Sequence, residues 1–450
     1  MGCTCASEIE EDLNVNIKKI DQHLETDAKN NTQDKSKLIS KEKEPKQKLS
    51  NSEKDKCKSI NQTLPKRINT NLQSLKDIMK SKTNKLSQKE KSYINFLWIC
   101  QNIDYDTEGY FSGRDVDCTP EGVFKNGKAV CSGYARLYKN IGDYLGLNIE
   151  CVNCYAKGVS YEPGQKMTST NHEYNVINLN NKWYPIDSTW GAGHLEGRHY
   201  VREFNEFYYL ANPELLIKTH FPADEKWQLT EKKYTLDDFL KWPRVKDKFN
   251  IYGFTKYSPE EGLVTLNNVN TQKFIIWGDN MEQKGGSCTI YLLQGNYYKQ
   301  QLNLQMLNFY KDRYEVDCIF NKKGKYKVEI FGNNDGSSHY RQILEYSVNV
   351  ENDAKNSLKF PHSYSGSKDI NIIEPLYDNL KHGQNVKFKI KSNLETLIII
   401  DKIWHYLNKN EEGYFEKEIT IQTEVGKNLI VGKKTETGSC SHLMAYDIIK

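Results

Sequence analysis

Residues 127–147 read GKAVCSGYARLYKNIGDYLGL. Tyr134, Leu137, Tyr138, Ile141, Tyr144 and Leu145 recur at three- and four-residue intervals, the period of an amphipathic helix. Gly127 and Gly133 permit close backbone approach at its start, and Gly146 supplies a C-terminal stop. The spacing predicts that Cys131 lies in the first turn, where unpaired N–H groups and the helix dipole favour a thiolate. A free thiol titrates at roughly 8.5, and a helix N-terminus with a histidinium partner lowers that. On this stretch alone Cys131 is either a small buried hydrophobe or a nucleophile.

Residues 171–191, NHEYNVINLNNKWYPIDSTWG, bear on that choice. His172–Leu179 and Lys182–Ile186 alternate as strands, and Asn180-Asn181 suits the positive-φ positions of a tight hairpin turn. With Leu179 opposite Lys182, paired positions sum to 361, and His172 faces Thr189 with Asp187 two residues away on the same side. A slip of two places His172 directly opposite Asp187. Either register puts them on one face, about 5 or 7 Å apart, whereas an odd-length loop would separate them. A thiol, a histidine and a carboxylate able to orient that histidine make up the chemistry of nucleophilic catalysis.

The stretches CSGYARLY, NHEYNVI and WYPIDSTWGAG together resemble the transglutaminase-like superfamily. WYPIDSTWGAGH followed by FYYLANPELLIKTHFPADEKWQL is similar, more narrowly, to the kyphoscoliosis-peptidase and hillarin group. The resemblance runs most strongly over about 90–240. It implies Cys131 as nucleophile, His172 as general base and acid, and Asp187 as the residue that orients His172. Tyr174 stands where the family usually carries Trp. The group includes cytoskeletal proteins, so the resemblance is compatible with an active enzyme or a catalytically silent scaffold.

Charge is distributed by segment. Residues 1–34 hold three Lys against eight acids, and residues 35–85 hold fifteen Lys or Arg against five, while the whole chain carries a formal net charge of +4. The basic excess is therefore N-terminal, which excludes a nucleic-acid-binding core. No apolar run reaches the roughly 18 residues of a membrane span, and residues 1–12 do not read as a signal peptide. The eleven Cys are expected to be reduced thiols in a cytoplasmic setting. Cys151 and Cys154 form a C-x-x-C with no second pair at zinc spacing, and no calcium-loop run is present, so no metal or cofactor is expected.

The chain opens MGCTCAS. Gly2 invites N-myristoylation, with Cys3 and Cys5 suited to palmitoylation, which would anchor the chain to an inner membrane leaflet. Residues 1–85 contain no Phe, Trp or Tyr, and they read as a disordered, Lys-rich tether. Within it, Leu72, Leu75, Ile78 and Met79 could line a short helix docked on the domain or lying on a membrane surface. Ser87 and Glu90 have capping-box spacing for a helix to about Asn102. Residues 157–170 read as a loop over the site, His194 and His199 as exposed loop histidines, and 207–229 as an aromatic wrap closing the domain.

From about Phe249 short alternating runs separated by Gly and Asn turns replace the helical period. The expected class is thus α+β: a papain/transglutaminase-like core at 86–245, then immunoglobulin-like β-sandwiches at 246–354 and 355–450. Expected partners are a protein substrate or a cytoskeletal protein.

Overall fold

A computed structural model describes residues 48–364, 370–378, 380–435 and 439–449. Contacts divide the chain into residues 1–51 and 52–450, and the fold below belongs to the second unit. Gly2, Cys3 and Cys5 lie outside the described residues. Among the described residues no helix is long and apolar enough to cross a membrane.

The tether expected through residue 85 is corrected over residues 51–62, which form a helix, while the short docked helix offered for Leu72–Met79 is present. Helix α1 (Asn51–Gln62) and helix α2 (Leu72–Thr83) are both formed. Cys57, Leu75 and Met79 are fully buried on the domain behind them. Lys56 bridges to Glu90 at 2.8 Å, and the Trp98 indole donates to the Pro65 carbonyl at 3.0 Å. Arg67 donates to the carbonyls of Phe124 and Lys125. Its guanidinium occupies the space a Cβ on Gly127 would need, at 2.5 Å, and Gly127 itself sits at φ +69°. The average composition of this segment is polar, but its few apolar residues share one face, and an existing core supplies the aromatic surface the segment lacks. Ile68 stays exposed in the preceding turn.

Helix α3 (Gln88–Asn102) opens with the Ser87–Glu90 capping box and buries Tyr93, Phe96, Leu97 and Trp98. Helix α4 (Cys131–Tyr144) packs across it, with the Tyr134 hydroxyl donating to the Ile103 carbonyl at 2.8 Å and the Asn95 amide donating to the Tyr138 carbonyl at 2.9 Å. A Cβ on Gly133 would lie 2.7 Å from both Ala129 and Val123, so this position must be glycine for α4 to seat.

Behind α4 stands an antiparallel sheet of strands β1 (Asn148–Ala156), β2 (His172–Leu179), β3 (Lys182–Ile186) and β4 (His220–Pro222), in the order β3-β2-β1-β4. Leu179 pairs with Lys182 and Asn175 with Ile186, the register whose positions sum to 361. Asn180 and Asn181 take φ of 54° and 62°, as the hairpin turn requires.

Two β-sandwiches follow. In the first, strand order Phe254–Ser258, Thr271–Gly278, Arg313–Ile319, Gln305–Phe309 faces a second sheet centred on Gly324–Gly332 and Arg341–Val350. In the second, Asn385–Ser392 and Tyr414–Thr420 face Thr396–Ile400, Asn428–Lys434 and Cys440–Ile449. The apolar run TLIIIDKIW is a hairpin: Asp401 and Lys402 carry positive φ and turn Thr396–Ile400 back onto Ile403–Tyr406. The described cysteines are all free thiols.

The first sandwich is tied to the α+β region by strand pairing and by ion pairs, among them Lys325–Glu162 at 2.5 Å. Arg244–Val245 pairs with Glu345 and Leu344 of the sandwich, and Arg244 bridges to Glu345 at 3.1 Å while its Nε donates to the Lys157 carbonyl. Lys157 is buried, its Nζ donating to the carbonyls of Phe239 at 2.6 Å and Trp242 at 2.8 Å. With those donors satisfied, burial is tolerated, although it pushes the amine well below its ordinary value.

Candidate active site

Cys131 is the first residue of α4, where the chain enters the helix from an extended Val130. Placement at the helix start follows from α4 lying over the sheet with its N-terminus toward the leading end of β2. His172 opens β2 opposite Cys154 of β1. Asp187 follows β3 directly and caps the short helix Ser188–Ala192, its Oδ1 accepting from the backbone N–H groups of Thr189 at 2.8 Å and Trp190 at 3.0 Å. The other oxygen, Oδ2, accepts from His172 Nε2 at 2.8 Å.

The structure joins His172 and Asp187 in a buried hydrogen bond, with the half-buried Cys131 near enough to His172 for that ring to lower its thiol. Asp187 is 1% exposed and His172 9%. Burial opposes ionisation of Asp187, but the His172 charge and hydrogen bonds from His172 and His220 hold its carboxyl well below the usual range. Burial also opposes the His172 cation, and the charges of Asp187 and Cys131 overcome it, raising the imidazole to about 10. Burial opposes the Cys131 thiolate in turn. The His172 charge, a hydrogen bond with that ring and one from the Glu173 backbone outweigh it, so the thiol lies below its ordinary value. These shifts, a lowered thiol, a raised imidazole and a lowered carboxyl, all favour one alternating charge chain of thiolate, imidazolium and carboxylate.

One member was absent from the sequence reading. His220, on β4, donates from Nε2 to the same Asp187 Oδ2 at 3.0 Å, and its Nδ1 lies 2.8 Å from the Thr219 hydroxyl oxygen. Burial and the neighbouring His172 charge hold it neutral, with its ring proton committed to Asp187. Its ring stacks edge-on against Trp190, centroids 4.4 Å apart. Residues 207–229 were expected only to wrap the domain. A three-residue strand shows no period, and the one available signal was a histidine amid apolar neighbours, in THFP.

His172, Asp187 and His220 place ligand atoms within 4.8 Å of one another, a spacing that a metal ion could use. Asp187 already accepts four N–H bonds, however, so protons occupy the positions that a metal would need. These residues do not fit a resident ion. His194 and His199, expected as exposed loop histidines, lie instead on a two-stranded ribbon; His199 is exposed, whereas His194 is half-buried beside Glu196 and Glu203 and lines the same cleft as His172. Cys151 and Cys154 are strand residues with thiols raised by burial.

A cleft of about 380 Å³ opens onto His172, Thr189 and Trp190. Its walls include Lys157–Ser160 from the loop after β1, the aromatic rings of Tyr105, Tyr110 and Tyr200, and residues of the first sandwich.

Comparison with known proteins accords with this geometry. Residues 73–188 match the model of the transglutaminase-like superfamily, a span that starts in α2 and ends one residue beyond Asp187. The chain carries a transglutaminase-like domain. Residues 236–361 match a second family, the KY-like, immunoglobulin-like domain, which coincides with the first sandwich and its junction. The chain is 28% identical over 256 residues to kyphoscoliosis peptidase of Mus musculus, covering 56% of this chain and 37% of that protein. It is 29% identical over 184 residues to hillarin of Drosophila melanogaster, covering 36% and 22%. It is 27% identical over 150 residues to the Lim and transglutaminase domain protein ltd-1 of Caenorhabditis elegans, covering 30% and 21%. The chain thus spans between about a fifth and little more than a third of the length of these relatives. The transglutaminase-like domain takes in α2, which accounts for that helix being docked on it.

Proposed function

We propose that this chain is a cysteine enzyme acting on amide carbonyls through a thioester acyl-enzyme. The observation that carries the reading is the charge chain itself, with His172 bonded to Asp187 at 2.8 Å on one side and holding the Cys131 thiol below its ordinary value on the other. A scaffold has no need of a buried cation between two anions, which costs desolvation energy to assemble.

In this reading the Cys131 thiolate attacks the carbonyl carbon, and the displaced electron pair moves to oxygen. The backbone N–H of Cys131, at the helix start, stabilises that oxyanion. Collapse of the intermediate expels the amine, which takes the proton from His172, leaving a thioester on Cys131. Water or a primary amine, deprotonated by His172, then attacks the thioester and restores the thiolate and imidazolium. Asp187 keeps His172 oriented throughout. Hydrolysis gives peptidase or amidase activity, and attack by an amine gives transglutaminase-type acyl transfer.

The test is intact-mass and peptide mass spectrometry after exposure to a glutamine-containing peptide pool, with and without a fluorescent primary amine. An acyl adduct on the Cys131 peptide, released by hydroxylamine and missing from Cys131→Ala, is the expected result. Absence of any adduct, hydrolysis product or incorporated amine would instead favour a silent transglutaminase-like scaffold.

The proposal includes location. Gly2, Cys3 and Cys5 fit dual acylation, which would hold the enzyme at the cytoplasmic face of a membrane, near cytoskeletal proteins as substrates or partners. One myristoyl chain binds only marginally, so removing the first signal removes the second as well. Gly2→Ala should therefore shift the chain from the membrane pellet to the soluble fraction in cell fractionation. An unchanged partition would eliminate the anchor.

A further inference from the structure

The cleft that opens onto His172 is built by two domains. Its lining takes in His172, Thr189 and Trp190 from the transglutaminase-like region and Lys246, Arg341 and Gln342 from the KY-like, immunoglobulin-like domain. The Lys246 backbone is held to that domain, its N–H donating to the Ile343 carbonyl at 2.9 Å, next to Arg341 and Gln342.

Most charges along the cleft are already neutralised. Arg244 bridges to Glu345 at 3.1 Å, Lys248 to Glu203 at 3.5 Å, and His194 to both Glu196 and Glu203. Lys246 and Arg341 differ: among the described residues neither has a carboxylate within 4.0 Å. Burial beside Arg244 pushes the Lys246 amine down to about 7, although Glu345 and Asp247 partly counter it. A partly buried cation without a partner is costly, and an anion brought by a ligand relieves that cost. Arg341 is exposed at the rim, with its planar fork open to a carboxylate.

We infer that the cleft takes a polypeptide substrate bearing an acidic side chain to one side of the reacting amide, and that the immunoglobulin-like domain anchors that carboxylate through Lys246 and Arg341. The inference rests on the proposed function in taking this cleft as the substrate path. It gives the sandwich a direct part in substrate selection. The aromatic walls accept the intervening residues, each extended residue spanning about 3.5 Å.

Binding can be tested without turnover. The full chain carrying Cys131→Ala is immobilised and offered a synthetic hexapeptide pool in which every sequence occurs as a Glu and a Gln version. Retained peptides are quantified by mass spectrometry. Glu versions should be enriched roughly fivefold or more, and Lys246→Gln with Arg341→Gln should bring the pairs to parity. Lys182→Gln, on the exposed hairpin turn, should leave the enrichment unchanged. Equal retention on the parent chain, or enrichment that survives the double substitution, would overturn the inference. A catalytically silent triad would leave this binding intact, so its failure and that of the proposed function are separable.

Discussion

In His172→Ala, alkylation of Cys131 by iodoacetamide at pH 6 should slow at least tenfold, and the acid limb of its pH profile should move above the range of a free thiol. In the wild-type chain the His172 cation and hydrogen bond outweigh burial and hold the Cys131 thiol below its ordinary value. An ordinary thiol titrating near 8.5 is only roughly 0.3% ionised at pH 6. A thiolate of lower pKa is also a weaker nucleophile, with a Brønsted coefficient of about 0.4–0.5, so the rate advantage is smaller than the population advantage. Removing the imidazole leaves burial and the Asp187 charge, both of which raise the thiol. On the alkaline side the wild-type cation survives until His172 titrates near 10. Because the imidazole is raised on folding, its stabilising contribution is complete below about 6.5 and is lost as pH climbs through about 10. Asp187 has the opposite sign: depressed on folding, it contributes above about 3.9 and loses that contribution as pH falls. Mass-spectrometric alkylation across pH 4–10 reads the thiol directly. A wild-type limb at the free-thiol position would mean that the charge chain does not exist in solution.

Asp187→Asn should lower the unfolding free energy by about 3–5 kcal/mol, the usual cost of breaking a buried ion pair from one side. It should also reduce Cys131 reactivity at neutral pH about as much as loss of His172 does. The carboxylate accepts from Thr189 and Trp190 on one oxygen and from His172 and His220 on the other. An asparagine whose oxygen keeps the two backbone donors turns its NH₂ toward two ring N–H groups. His172 can meet that NH₂ only by giving up its Nε2 proton, and it then ceases to be a cation beside Cys131. His220, fully enclosed, can accept from that NH₂ only by moving its ring proton to Nδ1, toward the Thr219 hydroxyl. Urea unfolding and the same alkylation assay give the two readouts. A stable variant with wild-type thiol reactivity would show that Asp187 neither charges nor orients His172.

The His172–Asp187 pairing and the place of Cys131 at a helix start were legible because their geometry is local. Cys131 follows from helix period, and His172 and Asp187 from a two-residue turn that fixes the register of their hairpin. Asn180-Asn181 adopts the expected positive φ, and the pairing Leu179–Lys182 is the one the turn dictates. The Ser87–Glu90 capping box is likewise a four-residue pattern, and it forms. The alternating runs after Phe249 marked the sandwiches, although TLIIIDKIW concealed a hairpin because Asp401-Lys402 lacks the usual turn residues.

What the amino-acid order determined by itself was therefore the sequence-near geometry: a cysteine at a helix start, a histidine and a carboxylate on one face of a ribbon, and the change from helical to strand period. Tertiary structure alone decided three things. It brought His220 to Asp187 through the pairing of β4 with β1, 33 residues from the carboxylate it supports. It docked α1 and α2, whose few apolar residues find a partner only once the core exists. And it set Lys246 and Arg341 of the sandwich into the same cleft as His172. Each of these depends on surfaces that meet only after folding, and no period or spacing along the chain encodes which surface will be there.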